Sequence, residues 1–452
     1  MKRQLSKTDM LQGSVFKGLV RFSIPLILTN WLHMMFSAAD SLIAGKWAGE
    51  GALAAVGTTF PLTMLTISLF GGLAIGVTVN AAKACGAGDN DAMSKIVHTA
   101  VPFAAIVGTI VMVIGMLIAR PALKMLSAPE DIIDRAVMYL RIYFISLPAH
   151  MIYDAAASVM RASGDSRRPL IFLTTAGAAN VVLNIVFVVA FKWGVAGVGI
   201  ATVLTQYLSA VLGMGMLIRS KDICRFVPSK MKIDGPSMKK ILKVGIPAGL
   251  QSAMLAASDL PLQAAVNSLG SAATSGNAAV LNIDGFIFTT MDAMGQGCTV
   301  YTGQSVGAKN YERTKKVLFT AFGITAVLGI IIGWTGFFFR YEIVGAFLPG
   351  ATEAIEYGAS RASIVSTSSF IYAFLIILNS SLRGYGISTE PAVITAVGLF
   401  VFRFVWANTI FKLFPTMFHI YLSYPVAWIL CIIVTAIIYK PLTEKVKRKQ
   451  LQ

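Results

Sequence analysis

Charged residues are scarce in this sequence. Asp, Glu, Lys and Arg together make up 13% of its 452 residues, whereas 56% of the residues are apolar. Soluble domains contain about 25% charged residues, which is about twice this share. The mean hydropathy of +0.72 agrees with that difference. The composition therefore excludes a soluble enzyme and predicts a polytopic membrane protein.

Cysteine and histidine are also rare, with four of each. The cysteines lie far apart and form no CxxC pair, so neither a metal cluster nor a disulfide framework is indicated. The histidines have no metal-ligand spacing, and no catalytic motif such as HExxH occurs. We therefore expect no cofactor and no enzymatic activity. The sequence also lacks an apolar leader with a small-residue cleavage site, so we expect no cleaved signal peptide.

Acidic residues are outnumbered by basic ones, which gives a net charge of +17. Such a charge can indicate nucleic-acid binding, but the location of the basic residues argues against it. With the N-terminus in the cytosol, most of the 38 Lys and Arg residues fall in inside segments. This distribution follows the positive-inside rule. It predicts a multi-pass protein of the plasma membrane with both termini in the cytoplasm and no nucleic-acid partner.

The apolar runs predict twelve transmembrane helices. We expect them at residues 17–46, 52–82, 93–119, 133–161, 168–192, 196–218, 241–269, 272–304, 313–339, 357–385, 390–412 and 418–440. The longest charged interruption predicts a cytoplasmic linker at residues 219–240. This linker would join an N-lobe, residues 1–218 with helices 1–6, to a C-lobe, residues 241–452 with helices 7–12. We expect the chain to act as a monomer in the lipid bilayer.

The two halves repeat each other weakly at an offset near 222 residues. Pro25 returns as Pro247, and the segment Met160–Gly164 returns as Leu382–Gly386. Six helices per half give both halves the same orientation, so an axis along the membrane normal should relate them. The predicted fold is an all-α polytopic membrane protein with 12 transmembrane helices in two pseudo-symmetric six-helix lobes around a central cleft.

The first predicted helix contains a single acid. Asp40 is the only charged residue among the 24 between Arg21 and Lys46. A carboxylate inside a membrane span costs at least about 2.5–3.5 kcal/mol, so it should face protein or water and is a candidate coupling-ion site. Pro25, earlier in the same helix, removes a backbone hydrogen bond and is expected to kink it. The alternative is that Asp40 only pairs with a buried polar or basic side chain.

Oxygen-bearing side chains on helices 5 and 6 complete the candidate coupling site. Asn180 and Asn184 are four residues apart and share one helix face, and Thr202 lies early in helix 6. Together with Asp40 they offer hard oxygen ligands for Na⁺, and they could equally stabilise a protonated acid. The asparagines could instead only bridge helices. The spacing leaves these alternatives open, with H⁺ or Na⁺ as the coupling ion.

The second half has its acids at other positions. Asp259, Asp284 and Asp292 are the only acids of helices 7 and 8, and we expect them to line a substrate cavity. Methionine and aromatic side chains adapt to apolar guests of different shape, although they are also ordinary packing residues. The further cavity candidates are Gln251, Met254, Met291, Met294, Gln296 and Tyr301. This lining predicts a cationic or amphipathic small-molecule substrate.

Other membrane-embedded polar residues have less specific interpretations. Asp154 and His150 form an i, i+4 pair on helix 4, and Asp154 could simply pair with Arg161. Arg403 is alone in helix 11 and is either the counter-ion of an acid that the sequence does not identify or a hydrogen-bond donor in the bundle interior. GxxxG patterns, which allow helices to pack closely, occur at Gly72–Gly76 and Gly329–Gly333.

Several short motifs, taken in order, resemble the MATE (multidrug and toxic compound extrusion) family, nearest its DinF-like and archaeal-type branch. The resemblance covers the chain from about Val20 to Tyr439. The motifs are Ile24-Pro25, Ala39-Asp40, Ala52-Leu-Ala-Ala-Val-Gly57, Cys85-Gly-Ala-Gly88, Met160-Arg-Ala-Ser-Gly-Asp165 with Pro169, Trp193-Gly-Val-Ala-Gly-Val-Gly199 before Ala201-Thr202, Gly303-Gln-Ser-Val-Gly-Ala308 and Leu382-Arg-Gly-Tyr-Gly386.

The resemblance implies a secondary active antiporter that exports organic cations, amphiphilic drugs or metabolites in exchange for H⁺ or Na⁺. It implies that Asp40 is the acid on which coupling depends and that Asn180, Asn184 and Thr202 complete the cation site. Relatives often have a second carboxylate at the position of Asn184, and its absence here favours H⁺. The alternative function is a lipid-linked sugar flippase of the same wider superfamily, although such proteins tend to have more helices and a basic cavity.

Overall fold

A computed structural model describes residues 9–49, 51–126 and 128–451. The cytoplasmic terminus expected at residues 1–8 lies outside these ranges. Within them the chain is helical, and no strand occurs. The first half contains α1 (Val15–Trp47), α2 (Ala52–Ala87), α3 (Asn90–Met125), α4 (Ile133–Ile145), α5 (Leu147–Ala162), α6 (Arg167–Asn184), which continues as a π-helix (Ile185–Ala190), and α7 (Gly194–Arg219).

The second half follows a short 3₁₀ turn (Pro228–Lys230). It contains α8 (Gly235–Ala257), α9 (Leu260–Asn267), α10 (Ser271–Gly307), α11 (Tyr311–Phe338), α12 (Arg340–Phe347), α13 (Thr352–Val365), α14 (Ser369–Gly384), α15 (Thr389–Thr395), a π-helix (Ala396–Val401), α16 (Phe402–Asn408), α17 (Ile410–Leu413) and α18 (Met417–Leu451).

Each of the twelve predicted segments coincides with a helix or a broken helix. In the described ranges, nine helices are long and apolar enough to cross a membrane, and the pair α13 and α14, bent by 48°, makes ten. The predicted helix at 133–161 is divided between α4 and α5. Pro148 lies in the first turn of α5, where its missing N–H is tolerated, and so it favours a new helix start there.

An apolar stripe along α3 is open on the outside of the protein. Ile106, Ile110, Val113 and Leu117 are all exposed, and their spacing of three and four residues puts them on one helix face. A continuous exposed apolar face of this length is typical of contact with lipid. The chain is therefore a multi-pass membrane protein.

The chain forms two compact units. Unit 1 contains residues 24–246, and unit 2 contains Asp9–Ser23 and Pro247–Gln452. The divisions fall inside α1 and α8, next to Pro25 and Pro247, rather than in the linker between α7 and α8. Each of these two helices therefore contributes its first turns to one unit and its later turns to the other.

Unit 1 contains a close contact between α2 and the first turns of α8. A Cβ atom at Gly76 would lie 2.3 Å from the carbonyl oxygen of Ile241, and one at Gly245 would lie 3.0 Å from that of Gly72. Only glycine allows the two backbones to approach so closely. The contact is of the kind that the GxxxG pattern at Gly72–Gly76 predicts.

Unit 2 contains the corresponding contact between the first turns of α1 and α10. A Cβ atom at Gly297 would lie 2.5 Å from Oγ of Ser23 and 3.2 Å from the side chain of Leu19. Ser23 and Gly245 are one repeat offset apart in sequence, as are Leu19 and Ile241. The same pair of helix faces therefore meets inside each unit, which supports the repeat read from the sequence.

The linker between α7 and α8 is fixed to α3. The backbone N–H of Val227 donates to Nε2 of His98 at 3.0 Å, and that of Asp234 donates to Oγ1 of Thr99 at 3.0 Å. Asp234 then caps α8, because its Oδ2 accepts from the backbone N–H of Ser237 at 2.9 Å. Hydrogen bonds from the side chain and backbone of Ser237 lower the pKa of Asp234 below its usual value. The linker is thus an ordered part of unit 1.

Candidate ion-coupling site

Asp40 meets the two predicted asparagines of α6 inside unit 1. Nδ2 of Asn184 donates to Oδ1 of Asp40 at 2.6 Å and to Oδ1 of Asn180 at 3.0 Å. Both asparagines are buried, with exposed fractions of 6% and 0%. Three of the four residues predicted for the coupling site therefore form one hydrogen-bonded chain.

One hydrogen-bond acceptor among these polar groups has no donor in the described part of the structure. Oδ1 of Asn184 is buried, and among the described residues it meets no hydrogen-bond donor. A buried acceptor without a partner costs about 1–3 kcal/mol. The carboxylate of Asp40 and the Asn184 carbonyl oxygen are hard ligands, so the residues present fit Na⁺. They fit a proton as well, because a protonated carboxyl group is itself a hydrogen-bond donor among these acceptors.

The threonine hydroxyl that hydrogen-bonds to these asparagines belongs to Thr205 rather than to Thr202. Nδ2 of Asn180 donates to Oγ1 of Thr205 at 3.4 Å, whereas Oγ1 of Thr202 donates to the carbonyl oxygen of Val198 at 3.0 Å. Sequence reasoning missed Thr205. Its position three residues after Thr202 puts both on one face of α7, so the helical spacing could have indicated it.

The site lies where α6 changes its geometry. Asn184 is the last residue of α6, and the π-helix starts at Ile185. Segments of π-helix inside α-helices often occur at functional sites, where the extra residue shifts the side chains that follow. On α1, Oγ1 of Thr29 donates to the carbonyl oxygen of Pro25 at 2.7 Å. Such back-bonding often bends helices, and it is found at the proline predicted to kink α1.

A second polar cluster of unit 1 surrounds Asp154. Nε2 of His150 lies 3.5 Å from Oδ2 of Asp154, and Nδ1 of His150 lies 3.3 Å from Oε1 of Gln206 on α7. Arg161, the alternative partner for Asp154, donates to Ser158 at 3.4 Å. The structure therefore places Asp154 with His150, and no sequence pattern indicates Gln206.

In unit 2, Asp284 is paired with an arginine. Its Oδ2 accepts from Nε of Arg361 at 3.0 Å and from Nη2 at 2.7 Å, and both side chains are buried. Nη1 of Arg361 also donates to Asn277 and Tyr421. Sequence reasoning missed Arg361, because it approaches Asp284 from another helix, 77 residues away in the chain. The Asp284 charge is balanced within the protein.

Asp259 is the counter-ion of Arg403. Nη1 of Arg403 donates to Oδ1 of Asp259 at 2.6 Å and to Oγ of Ser258 at 2.8 Å. The Tyr424 hydroxyl also donates to Oδ1 of Asp259, at 2.9 Å. The Asp259 charge is therefore balanced as well, and the lone arginine of the eleventh predicted helix has its acid.

Asp292 has a phenol as its partner. The Tyr372 hydroxyl donates to Oδ1 of Asp292 at 3.3 Å. Of the other cavity candidates, Gln251 donates to Oγ1 of Thr395 at 2.6 Å and accepts from Arg383 at 2.5 Å. Met291, Met294 and Tyr301 are buried, and Met254 and Gln296 are partly buried. A substrate cavity lined by these residues stays a prediction.

Comparison with known proteins gives matches over most of the chain. The MatE family profile matches residues 25–188 and 247–409. "Probable multidrug resistance protein YpnP" of Bacillus subtilis is 30% identical over 403 residues, which is 88% of each chain. "Probable multidrug resistance protein YoeA" of the same organism is 26% identical over 390 residues, or 84% of each chain.

Solved structures match the fold. A structure described as "Crystal structure of MATE in complex with MaD3S" superposes with a TM-score of 0.89 at 19% identity, over 97% of this chain and 99% of that one. An outward-facing multidrug resistance MATE family transporter of the MOP superfamily gives 0.88 at 19% identity, over 99% and 100%. At this identity the likeness concerns the fold alone.

Proposed function

Since this chain belongs to the MatE family of multidrug efflux transporters, we propose that it is a secondary active antiporter in which Asp40 binds the coupling ion. The transported compounds leave the cell, and a cation enters in exchange. The chain is a membrane transporter and not an enzyme. The ion, the substrates and the cytoplasmic location of both termini are the further parts of the proposal.

The observation that carries the proposal is the environment of Asp40. Its hydrogen-bond partner, Asn184, is a neutral amide, whereas Asp259 and Asp284 are each paired with an arginine. An ionised carboxylate inside a membrane protein needs a compensating charge. A proton or Na⁺ supplies that charge at Asp40, and each leaves the site neutral.

We favour H⁺ as the coupling ion. A Na⁺ site normally gathers several oxygen ligands, of which a second carboxylate would be the strongest, and Asn184 stands at that position. A proton needs only the carboxylate itself and an acceptor for its hydrogen, and Oδ1 of Asn184 can be that acceptor. Proton loading of Asp40 from outside and its release inside would then drive export.

Ion and substrate are proposed to exclude one another. Loading of Asp40 changes its hydrogen bonds to α6, and α1 can respond by bending near Pro25, where Thr29 already bonds to the proline carbonyl. The exclusion is negative cooperativity between two sites, with an unfavourable (positive) coupling free energy, and it must be reciprocal. A substrate that lowers the affinity for the ion is itself bound less tightly when the ion is present.

We expect cationic or amphipathic substrates. The hydrogen-bond partner of Asp40 is a neutral amide and that of Asp292 is a phenol, so we expect both acids to leave negative charge for a substrate cation. A lipid-linked sugar flippase is not favoured, because the two Bacillus subtilis relatives are both named as multidrug resistance proteins. Transport confined to anionic lipid-linked sugars would contradict the proposal.

The test is efflux of a cationic dye from cells that express the protein. Asp40→Asn removes the charge and keeps the size of the side chain, so we expect efflux to fall to the level of cells without the transporter. Asp134→Asn is the matched control, since Asp134 is 79% exposed and its ion pair with Arg120 is on the surface. It should keep the wild-type rate. Wild-type efflux by a normally expressed Asp40→Asn protein would refute the role of Asp40.

A further inference from the structure

Each unit contains a hydrogen bond between an acid and a partner on another helix of the same half. In unit 1 Asn184 donates to Asp40, and in unit 2 Arg403 donates to Asp259; each pair is separated by 144 residues. The first pair joins the first and fifth predicted helices of its half, and so does the second pair. Asp259 lies 219 residues after Asp40, which is three fewer than the repeat offset, and Arg403 lies 219 residues after Asn184. Both members of the second pair are therefore displaced by about one helical turn from the exact repeat positions. Each unit thus has an acid and a partner on the same two helices, with an amide in unit 1 and a guanidinium in unit 2.

The guanidinium of Arg403 has the surroundings of a bound cation. Its Nη1 contacts the Asp259 carboxylate at 2.6 Å and the Ser258 hydroxyl at 2.8 Å, and its Cζ lies 3.9 Å from the centre of the Tyr424 ring. The Arg403 side chain is 2% exposed. A carboxylate, hydroxyl oxygens and an aromatic face are the groups by which proteins hold cations.

We propose that Arg403 is a tethered cation, which fills in unit 2 the position that the exchangeable coupling cation takes at Asp40 in unit 1. The inference rests on the proposed function. Arginine does not release its proton in proteins, so the charge at Asp259 is permanently balanced. The transporter accordingly exchanges a single cation per cycle, although its fold contains the acid twice.

The proposal predicts that a second exchangeable site is latent in unit 2. Without the guanidinium, Asp259 would keep the hydrogen bond from the Tyr424 hydroxyl at 2.9 Å, and Oγ of Ser258 would lose the donor that it accepts from. The Asp259 side chain is 52% exposed, so the rest of unit 2 does not enclose it. Arg403→Asn recreates in unit 2 the acid–amide pair of unit 1, and the acid should then bind a proton or Na⁺ of its own.

The experiment measures coupling stoichiometry in proteoliposomes with the membrane potential held at zero. Ethidium serves as the transported cation, and the equilibrium ethidium gradient is recorded against imposed H⁺ gradients and, separately, against Na⁺ gradients. The slope on logarithmic axes equals the number of cations exchanged, so we expect it to rise from about one in the wild type to about two in Arg403→Asn. A slope that stays at one would overturn the inference.

Two further variants keep the test decisive. Asp259→Asn/Arg403→Asn removes the latent acid together with its arginine and should return the slope to about one. A doubled slope in this variant would contradict a site at Asp259. Should Arg403→Asn fail to fold, Asn184→Arg provides the converse test, since a guanidinium beside Asp40 should replace the exchangeable cation and abolish coupling. Persistent coupling in a folded Asn184→Arg protein would overturn the inference.

The experiment distinguishes a failure of the proposed function from a failure of this inference. If Asp40→Asn in the wild-type background keeps a slope of about one, Asp40 is not the coupling group and the proposed function is wrong. If Asp40→Asn loses coupling while Arg403→Asn leaves the slope unchanged, the proposed function stands and the tethered cation is wrong.

Discussion

The membrane-embedded acids of this protein differ in the partner that balances their negative charge. Asp284 is paired with Arg361 and Asp259 with Arg403, whereas Asp40 is bonded to the neutral Asn184. A buried acid that is paired with arginine has a fixed partner and holds the fold together. An acid that lacks one can exchange its proton or ion, and we therefore propose Asp40, rather than Asp259 or Asp284, as the coupling residue.

We propose that Asn184 decides which ion the Asp40 site prefers. If the protein is proton-coupled, Asn184→Asp should bring no gain in Na⁺ affinity, because Asp40 alone carries the proton. Isothermal titration of the purified protein with NaCl measures this. Asn408→Asp, the same substitution at an exposed position, is the control. A tenfold or greater rise in Na⁺ affinity in Asn184→Asp alone would point to Na⁺ coupling.

Arg361 is predicted to be a structural residue. Its removal in Arg361→Met leaves the buried Asp284 without its counter-charge, and breaking a buried pair costs about 3–5 kcal/mol. Arg120→Met breaks an exposed pair with Asp134, which is worth about 0–1 kcal/mol. Thermal unfolding in detergent should show a much larger loss for Arg361→Met. Equal melting temperatures in the two variants would contradict the structural role.

The sequence predicted part of the site at this scale. Asp40, Asn180 and Asn184 could be predicted from the sequence, because an isolated acid and an i, i+4 pair of amides are visible in it directly. The partners of the acids in unit 2 could not be predicted. Arg361 approaches Asp284, and Tyr424 approaches Asp259, from helices that are distant in the sequence. Long-range pairing depends on how the helices pack, which periodicity does not specify.

The helices of each unit are held together by close packing at glycine residues. The α2–α8 contact at Gly76 has no room for a methyl group, since a Cβ atom there would lie 2.3 Å from the Ile241 carbonyl oxygen. Overpacking of this kind costs about 1–3 kcal/mol because the backbones must separate. Glycine is needed here for distance, as the α-helical backbone on both sides is ordinary.

The prediction at this scale compares two glycines of α2. Gly76→Ala should lower the melting temperature of the protein, whereas Gly71→Ala should leave it unchanged or raise it slightly. A Cβ atom at Gly71 meets nothing within 4 Å, and alanine is the better helix former by about 1 kcal/mol. Thermal unfolding of both variants in the same detergent checks the difference. Equal stability would mean that the contact is not tight.

Helix existence was easier to predict than helix continuity. All twelve apolar segments were found, because a run of about 20 apolar residues needs no tertiary information. The breaks at Ser146 and Ser258 and the π-helices at Ile185–Ala190 and Ala396–Val401 were missed. Such irregularities are stabilised by packing and by side-chain hydrogen bonds, which a local pattern does not reveal.

The whole molecule consists of two repeats of one helical unit, and the two copies differ in some residues. The family profile begins its two matches at residues 25 and 247, the prolines next to which the compact units divide. Each unit contains a tight helix contact at equivalent glycines and an acid–partner bond of equal sequence separation. The copies differ in the partner, which is an amide in unit 1 and an arginine in unit 2.

The central claim is that Asp40 couples export to proton entry. The most direct measurement is ethidium transport by proteoliposomes with an imposed pH gradient and no Na⁺, comparing the wild type with Asp40→Asn. We expect the wild type to move ethidium against its gradient and Asp40→Asn to let the gradient decay. Equal ethidium accumulation by both proteins would contradict the claim. Transport that is absent under the pH gradient and returns with an inward Na⁺ gradient at constant pH would contradict the proton assignment.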